Sequence, residues 1–153
     1  MANKKDLLTT KQMAKFVADG FLRFDDVVPA ELNERALAEM EAGIERPRTG
    51  DPLQGMWEGT AIGDIVRLPK IQGIMASLVG DAPLYDHHAA HLTPARTMKG
   101  PNNHQDSVID FRENYFDIQL SLFPADTPDE MGGTFLIPGT QFRNVRTSEI
   151  TFY

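Results

Sequence analysis

Cysteine is absent from this 153-residue chain. That excludes disulfides, thiolate nucleophiles and cysteine-ligated zinc or iron–sulfur centres. Basic residues are few: 15 Lys and Arg stand against 22 Asp and Glu, a net charge of -7. A nucleic-acid binder carries a basic excess, so no nucleic-acid partner is expected. No apolar run approaches the ~20 residues of a membrane span. Met1 to Leu8 lacks the apolar core of a signal peptide. No membrane partner is expected, and a cytoplasmic location is the default. Hydrophobic residues make up 41% and charged residues 24%, a balance that supports a packed core rather than disorder throughout. The length predicts a single domain, residues 1–153.

The first eighty residues read as mainly helical. Thr9 and Gln12 have capping-box spacing, and Met13, Phe16 and Val17 recur at helical intervals before Gly20. Glycine accepts the left-handed geometry of a helix end, so a helix is predicted over Thr9 to Ala18. Phe21 to Phe24 reads as a short strand. Pro29 opens a second helix with the apolar stripe Leu32, Ala36, Leu37, Met40 and Ile44. Residues 45 to 60, rich in Pro and Gly and holding the only tryptophan, Trp57, read as a loop. A third helix fits Pro69 to Val79, stopped by Gly80. From residue 81 onward the pattern changes to strands and turns. Strands are predicted at Leu84 to Leu92, at Arg96 to Lys99, along the alternation Phe116, Ile118, Leu120 and Leu122, and at Thr134 to Ile137. Helices first and strands later predict an α+β protein, with the helices packed on one side of an antiparallel sheet or barrel. Leu32, Leu37, Met40, Ile74 and Leu78 are expected to be buried there.

His104-Gln105-Asp106 is the strongest candidate for chemistry. On extended backbone, residues i and i+2 point the same way, so an imidazole nitrogen and a carboxylate oxygen can converge on one metal while Gln105 faces away. These are two of the three ligands of the facial triad of non-haem iron oxygenases. The bland counterpart is a surface loop with a His–Asp hydrogen bond. His87 and His91 would lie about 13 Å apart on a strand, too far to share an ion, and His88 would face the opposite way. These three read as wall or surface histidines. Trp57 reads as packing, with a lid over a substrate as the functional alternative. Asp126, Asp129 and Glu130 lack the glycine pattern of a calcium loop and read as a solvated turn.

Several segments, in order, resemble the phytanoyl-CoA dioxygenase family over nearly the whole chain. Leu8 to Gln12 followed by Asp19-Gly20-Phe21-Leu22 resembles the family's first helix and its following strand. Val27-Val28-Pro29-Ala30-Glu31-Leu32 resembles the start of its second helix. His104-Gln105-Asp106 matches its HxD motif. Phe116 to Phe123 resembles the strand after that motif, and Gly132 to Thr140 resembles its stretch ending in Pro-Gly-Ser-His. The resemblance implies a double-stranded β-helix of the jelly-roll or cupin-like kind, with the helices of residues 1–80 supporting it from outside and residues 81–153 supplying its first strands. It implies Fe(II) held by His104, Asp106 and a distal histidine, with 2-oxoglutarate as cosubstrate. It implies an arginine beyond that histidine, whose guanidinium fork grips the cosubstrate's far carboxylate. The expected reaction is hydroxylation of a small organic substrate, coupled to conversion of 2-oxoglutarate to succinate. His87, His88, His91 or Lys99 could contact the cosubstrate.

The sequence departs from the family in specific places. All four histidines lie at or before His104, so no distal histidine follows Asp106. Arg143 and Arg146 come too early for the cosubstrate arginine. Thr140-Gln141 stands where the family often has Ser-His, and Asn102-Asn103 replaces the common residues before HxD. The expectation is therefore an N-terminal portion of an oxygenase, incomplete at its C-terminus and inactive by itself. The alternatives are a catalytically inactive binding domain that keeps the fold, or a cupin-like metal protein. Substrate identity and oligomeric state stay open.

Overall fold

The computed structural model describes residues 3–44, 50–55, 57–85 and 117–141. Its elements are four α-helices: α1 (Thr10–Asp19), α2 (Ala30–Ala42), α3 (Ala61–Val66) and α4 (Pro69–Val79). Short 3₁₀ turns occupy Leu53–Gly55 and Asp129–Met131.

α1 begins as its sequence dictates. The Thr9 hydroxyl accepts from the Gln12 backbone N–H, and the Gln12 side chain accepts from the Thr9 backbone N–H. This reciprocal cap satisfies two donors that the first turn leaves free. Gly20 ends the helix at φ 86°, its N–H bonded to the Phe16 carbonyl. α2 starts directly after Pro29, whose carbonyl accepts from Leu32 and Asn33. α4 runs from Pro69 to Val79, with proline at a position where its missing N–H costs nothing.

Packing centres on two small apolar clusters. α2 and α3 meet through Ala36, Ala61 and Ile65, with Val28, Leu32, Ile62 and Leu122 around them. Val66, Ile71 and Met75 form the second, flanked by Val27, Leu53, Trp57, Leu68 and Val79. Of the five residues expected to be buried, Ile74 is buried, and Leu32, Leu37, Met40 and Leu78 are half-buried. The chain before α1 lies across α4. The Leu8 N–H donates to the Ser77 hydroxyl (2.9 Å), and Lys70 Nζ donates to the Asp6 carbonyl (3.1 Å). Gly73 makes this approach possible, because a Cβ there would sit 2.2 Å from the Asp6 carbonyl oxygen.

The expected double-stranded β-helix is corrected by this structure. Helix accounts for 45% of the described residues, which contain no strand and no sheet. The sole ladder-like feature among them is an isolated antiparallel bridge between Pro52 and Leu84. Phe21 to Phe24, residues 117–122 and Thr134 to Ile137, all predicted strands, are irregular. Alternation of apolar and polar residues marks a chain that can be half-buried, whereas a strand needs a second backbone to satisfy its N–H and C=O groups. No such partner pairs with these segments among the described residues. Among the described residues, α3 packs on α2 and on α4, and no helix lies on the outside of a sheet. The predicted strand at Arg96 to Lys99, and most of that at Leu84 to Leu92, lie outside the described residues.

Candidate functional site

His104 and Asp106 lie outside the described residues, as do His87, His88, His91, Lys99, Arg143 and Arg146. The structure does describe the residues on either side of 86–116.

The last described residue before them is Tyr85. Its N–H donates to the Asp51 carbonyl (2.9 Å), and its carbonyl accepts from the Gly50 N–H (2.8 Å). Two residue pairs further along, the Leu53 N–H donates to the Pro83 carbonyl (3.0 Å). Backbone bonds therefore hold residues 83–85 against residues 50–53. The Tyr85 ring is buried and meets Trp57 edge to face, with centroids 5.7 Å apart and planes at 89°. This geometry sets the positive edge of one ring against the negative face of the other. The Tyr85 hydroxyl is buried and makes no hydrogen bond.

Trp57 takes φ 51°, which is uncommon for a bulky residue. Its carbonyl explains how the conformation is held. It accepts from the Thr60 N–H (3.1 Å) and from the Thr60 hydroxyl (2.7 Å). Gly63 gives this carbonyl room, since a Cβ there would lie 2.0 Å from the Trp57 oxygen. Trp57 thus packs beside the Val66, Ile71 and Met75 cluster as a structural side chain of this corner.

After residues 86–116 comes the stretch 117–122, where Leu122 packs against Ala36, Ala61 and Ile65. Below it, α3 carries an unusual cap. Both carboxylate oxygens of Glu39, on α2, accept from the Ala61 N–H at 2.9 and 2.8 Å. A carboxylate at a helix N-terminus meets both free N–H donors and the positive end of the helix dipole. Asp64 in the same helix lies 3.5 Å from Arg35 and 3.6 Å from Arg67.

A second junction joins two segments far apart in sequence. The Gly139 N–H donates to the Asp19 carbonyl (2.9 Å), and the Gln141 amide donates to the Val17 carbonyl (2.7 Å). The turn at residues 138–141 therefore closes over the end of α1. Gln141 carries no local mark of this role beyond its place after a Pro-Gly turn. Glu39 and Tyr85 were equally silent, because a cap from another helix and a buried ring with backbone partners across a loop leave no local pattern.

As a donor set, one imidazole and one carboxylate suit a divalent iron and fill two of three facial positions. Among the described residues, no group of three or more His, Asp or Glu could hold a metal. Asp129 and Glu130 sit exposed in their 3₁₀ turn, in keeping with a solvated turn. Among the same residues no helix is long and apolar enough to cross a membrane. Set beside known proteins, the chain matches no family model, no curated protein and no solved structure.

Proposed function

We propose that this chain carries the first two iron ligands of a non-haem Fe(II), 2-oxoglutarate-dependent oxygenase acting on a small organic substrate in the cytoplasm. His104 would give one imidazole nitrogen and Asp106 one carboxylate oxygen. Iron held there would supply the chemistry for hydroxylating an unactivated C–H bond with dioxygen as the oxidant, one oxygen atom entering the substrate and the other entering succinate as 2-oxoglutarate loses carbon dioxide.

What supports the reading is a meeting of two segments that carry the resemblance to phytanoyl-CoA dioxygenases. Asp19-Gly20 and Pro138-Gly139 are separated by more than a hundred residues, yet the Gly139 N–H donates to the Asp19 carbonyl at the end of α1. Segments in family order that also meet in space are better support than order alone. The described residues contain no sheet, so the β-helix forms no part of the proposal. The helical body contributes by fixing both flanks of residues 86–116, at Tyr85 and at Leu122.

Manganese(II) binding, followed by electron paramagnetic resonance, tests the ligand assignment. With two protein donors the 153-residue chain should bind the ion weakly, and His104→Ala or Asp106→Ala should each abolish binding. Succinate release from 2-oxoglutarate in the presence of Fe(II) should be slight for this chain, because no histidine follows Asp106 to complete the set. Equal manganese affinity in wild type and both variants would overturn the assignment.

A further inference from the structure

The stretch from Met131 to Ile137 stands out as apolar surface. Met131 is 71% exposed, Phe135 72%, Leu136 52% and Ile137 50%. No residue from Met131 to Gln141 carries a charge, although the chain as a whole has a net charge of -7. Among the described residues, the backbone N–H and C=O groups of 133–136 make no hydrogen bonds. A short run of β-branched and aromatic residues with free backbone groups and no charge is a template for pairing with another chain.

We propose that this strip is a contact surface between two copies of the chain, paired antiparallel about Phe135. An identical neutral strip needs no foreign partner, because a twofold interface is complementary to itself. It also lets two acidic molecules meet without opposing like charges. Asp129 and Glu130 stand just before the strip. Antiparallel pairing puts them beside the uncharged residues 140–141 of the other copy, whereas parallel stacking in register would set acid against acid. The arrangement therefore favours a closed pair over an open-ended stack. The four exposed side chains offer on the order of 400 Å² per copy, about half of the ~800 Å² that each partner buries in a stable complex. The dimer is accordingly weak and concentration-dependent.

Sedimentation velocity over two decades of concentration tests this. The wild-type chain should pass from monomer to dimer and stop there. Phe135→Lys should remain monomeric at the highest concentration. Leu84→Lys removes an equally exposed apolar side chain elsewhere, at 64% exposure, and should dimerise as the wild type does. Circular dichroism should show the same helicity in all three. A wild-type chain monomeric throughout, with Phe135→Lys melting earlier, would mean that the strip is covered within its own chain and would overturn the proposal. Equal loss of association in both lysine variants, or growth beyond the dimer, would overturn it as well.

Discussion

Replacing Gly73 by alanine sets two effects of opposite sign against each other. Alanine in a helix interior is favoured over glycine by about 1 kcal/mol, so propensity alone makes Gly73→Ala stabilising. Geometry opposes it, because the new Cβ would lie 2.2 Å from the Asp6 carbonyl oxygen and 2.4 Å from its carbon. Both are backbone atoms, so no side-chain rotation relieves the contact. The chain before α1 must lift from α4. Lifting exposes Leu8, which is 9% exposed, and breaks the Leu8–Ser77 and Lys70–Asp6 hydrogen bonds. Burying a leucine is worth roughly 1.5–3 kcal/mol, and each hydrogen bond about 1 kcal/mol net. Partial relief of these losses, less the propensity gain, leaves a net destabilisation of about 2 kcal/mol. For a chain of this length that lowers the melting temperature by roughly 4–8 °C. Native-state hydrogen exchange gives the local readout, since the Leu8 amide should lose its protection while those inside α2 keep theirs. A higher melting temperature with Leu8 still protected would show that Asp6 does not cross α4 at Gly73, and would refute the reasoning.

Two further substitutions probe the other close contacts. Glu39→Ala removes the carboxylate that caps α3 and should cost about 1–2 kcal/mol in urea unfolding, while Glu39→Gln keeps an acceptor and should fall between it and wild type; an unchanged midpoint for the alanine variant would remove the cap from the account. Gly20→Ala forces a side chain into φ 86° and crowds the Gln141 amide at 2.5 Å, so it should cost about 1–2 kcal/mol. That cost should shrink in a Gln141→Ala background, and strict additivity of the two changes would show that the residues do not touch.

The sequence yielded those features whose causes are local. The capping pair Thr9 and Gln12 and the stop at Gly20 lie within a dozen residues, and α1 follows them. Pro69 and Gly80 bracket α4 in the same way. α3 escaped notice because six residues are too few to show a helical period, and Gly63 and the β-branched Ile62, Ile65 and Val66 are poor helix formers. Thr60 was its one visible sign, an N-cap whose hydroxyl accepts from Gly63. The strand predictions failed for a different reason. The alternation matches burial only at its ends: Ile118 and Leu122 are partly covered, but Leu120 between them is exposed along with Asp117, Gln119 and Ser121. A ladder, however, is a relation between two segments, and nothing in one segment's periodicity identifies its partner. The candidate iron ligands were legible only as residue types at a spacing, and they fall in residues 86–116.

The junction at the end of α1 bears on how the chain folds as it is made. α1 has ten residues and buries none of them, and helices of that length are marginal in water without tertiary support. Part of its support comes from Gly139 and Gln141, the latter 124 positions beyond Val17. α1 therefore waits for nearly the last described residues before its end is secured. α2, α3 and α4 can assemble earlier, from contacts within about fifty residues of one another. Closure of this loop of more than a hundred residues becomes a late event, and its entropic cost falls on a helix with no buried residue. A change near residue 140 should then be felt first at the N-terminus, as fraying of α1 while the α2–α3 pair holds.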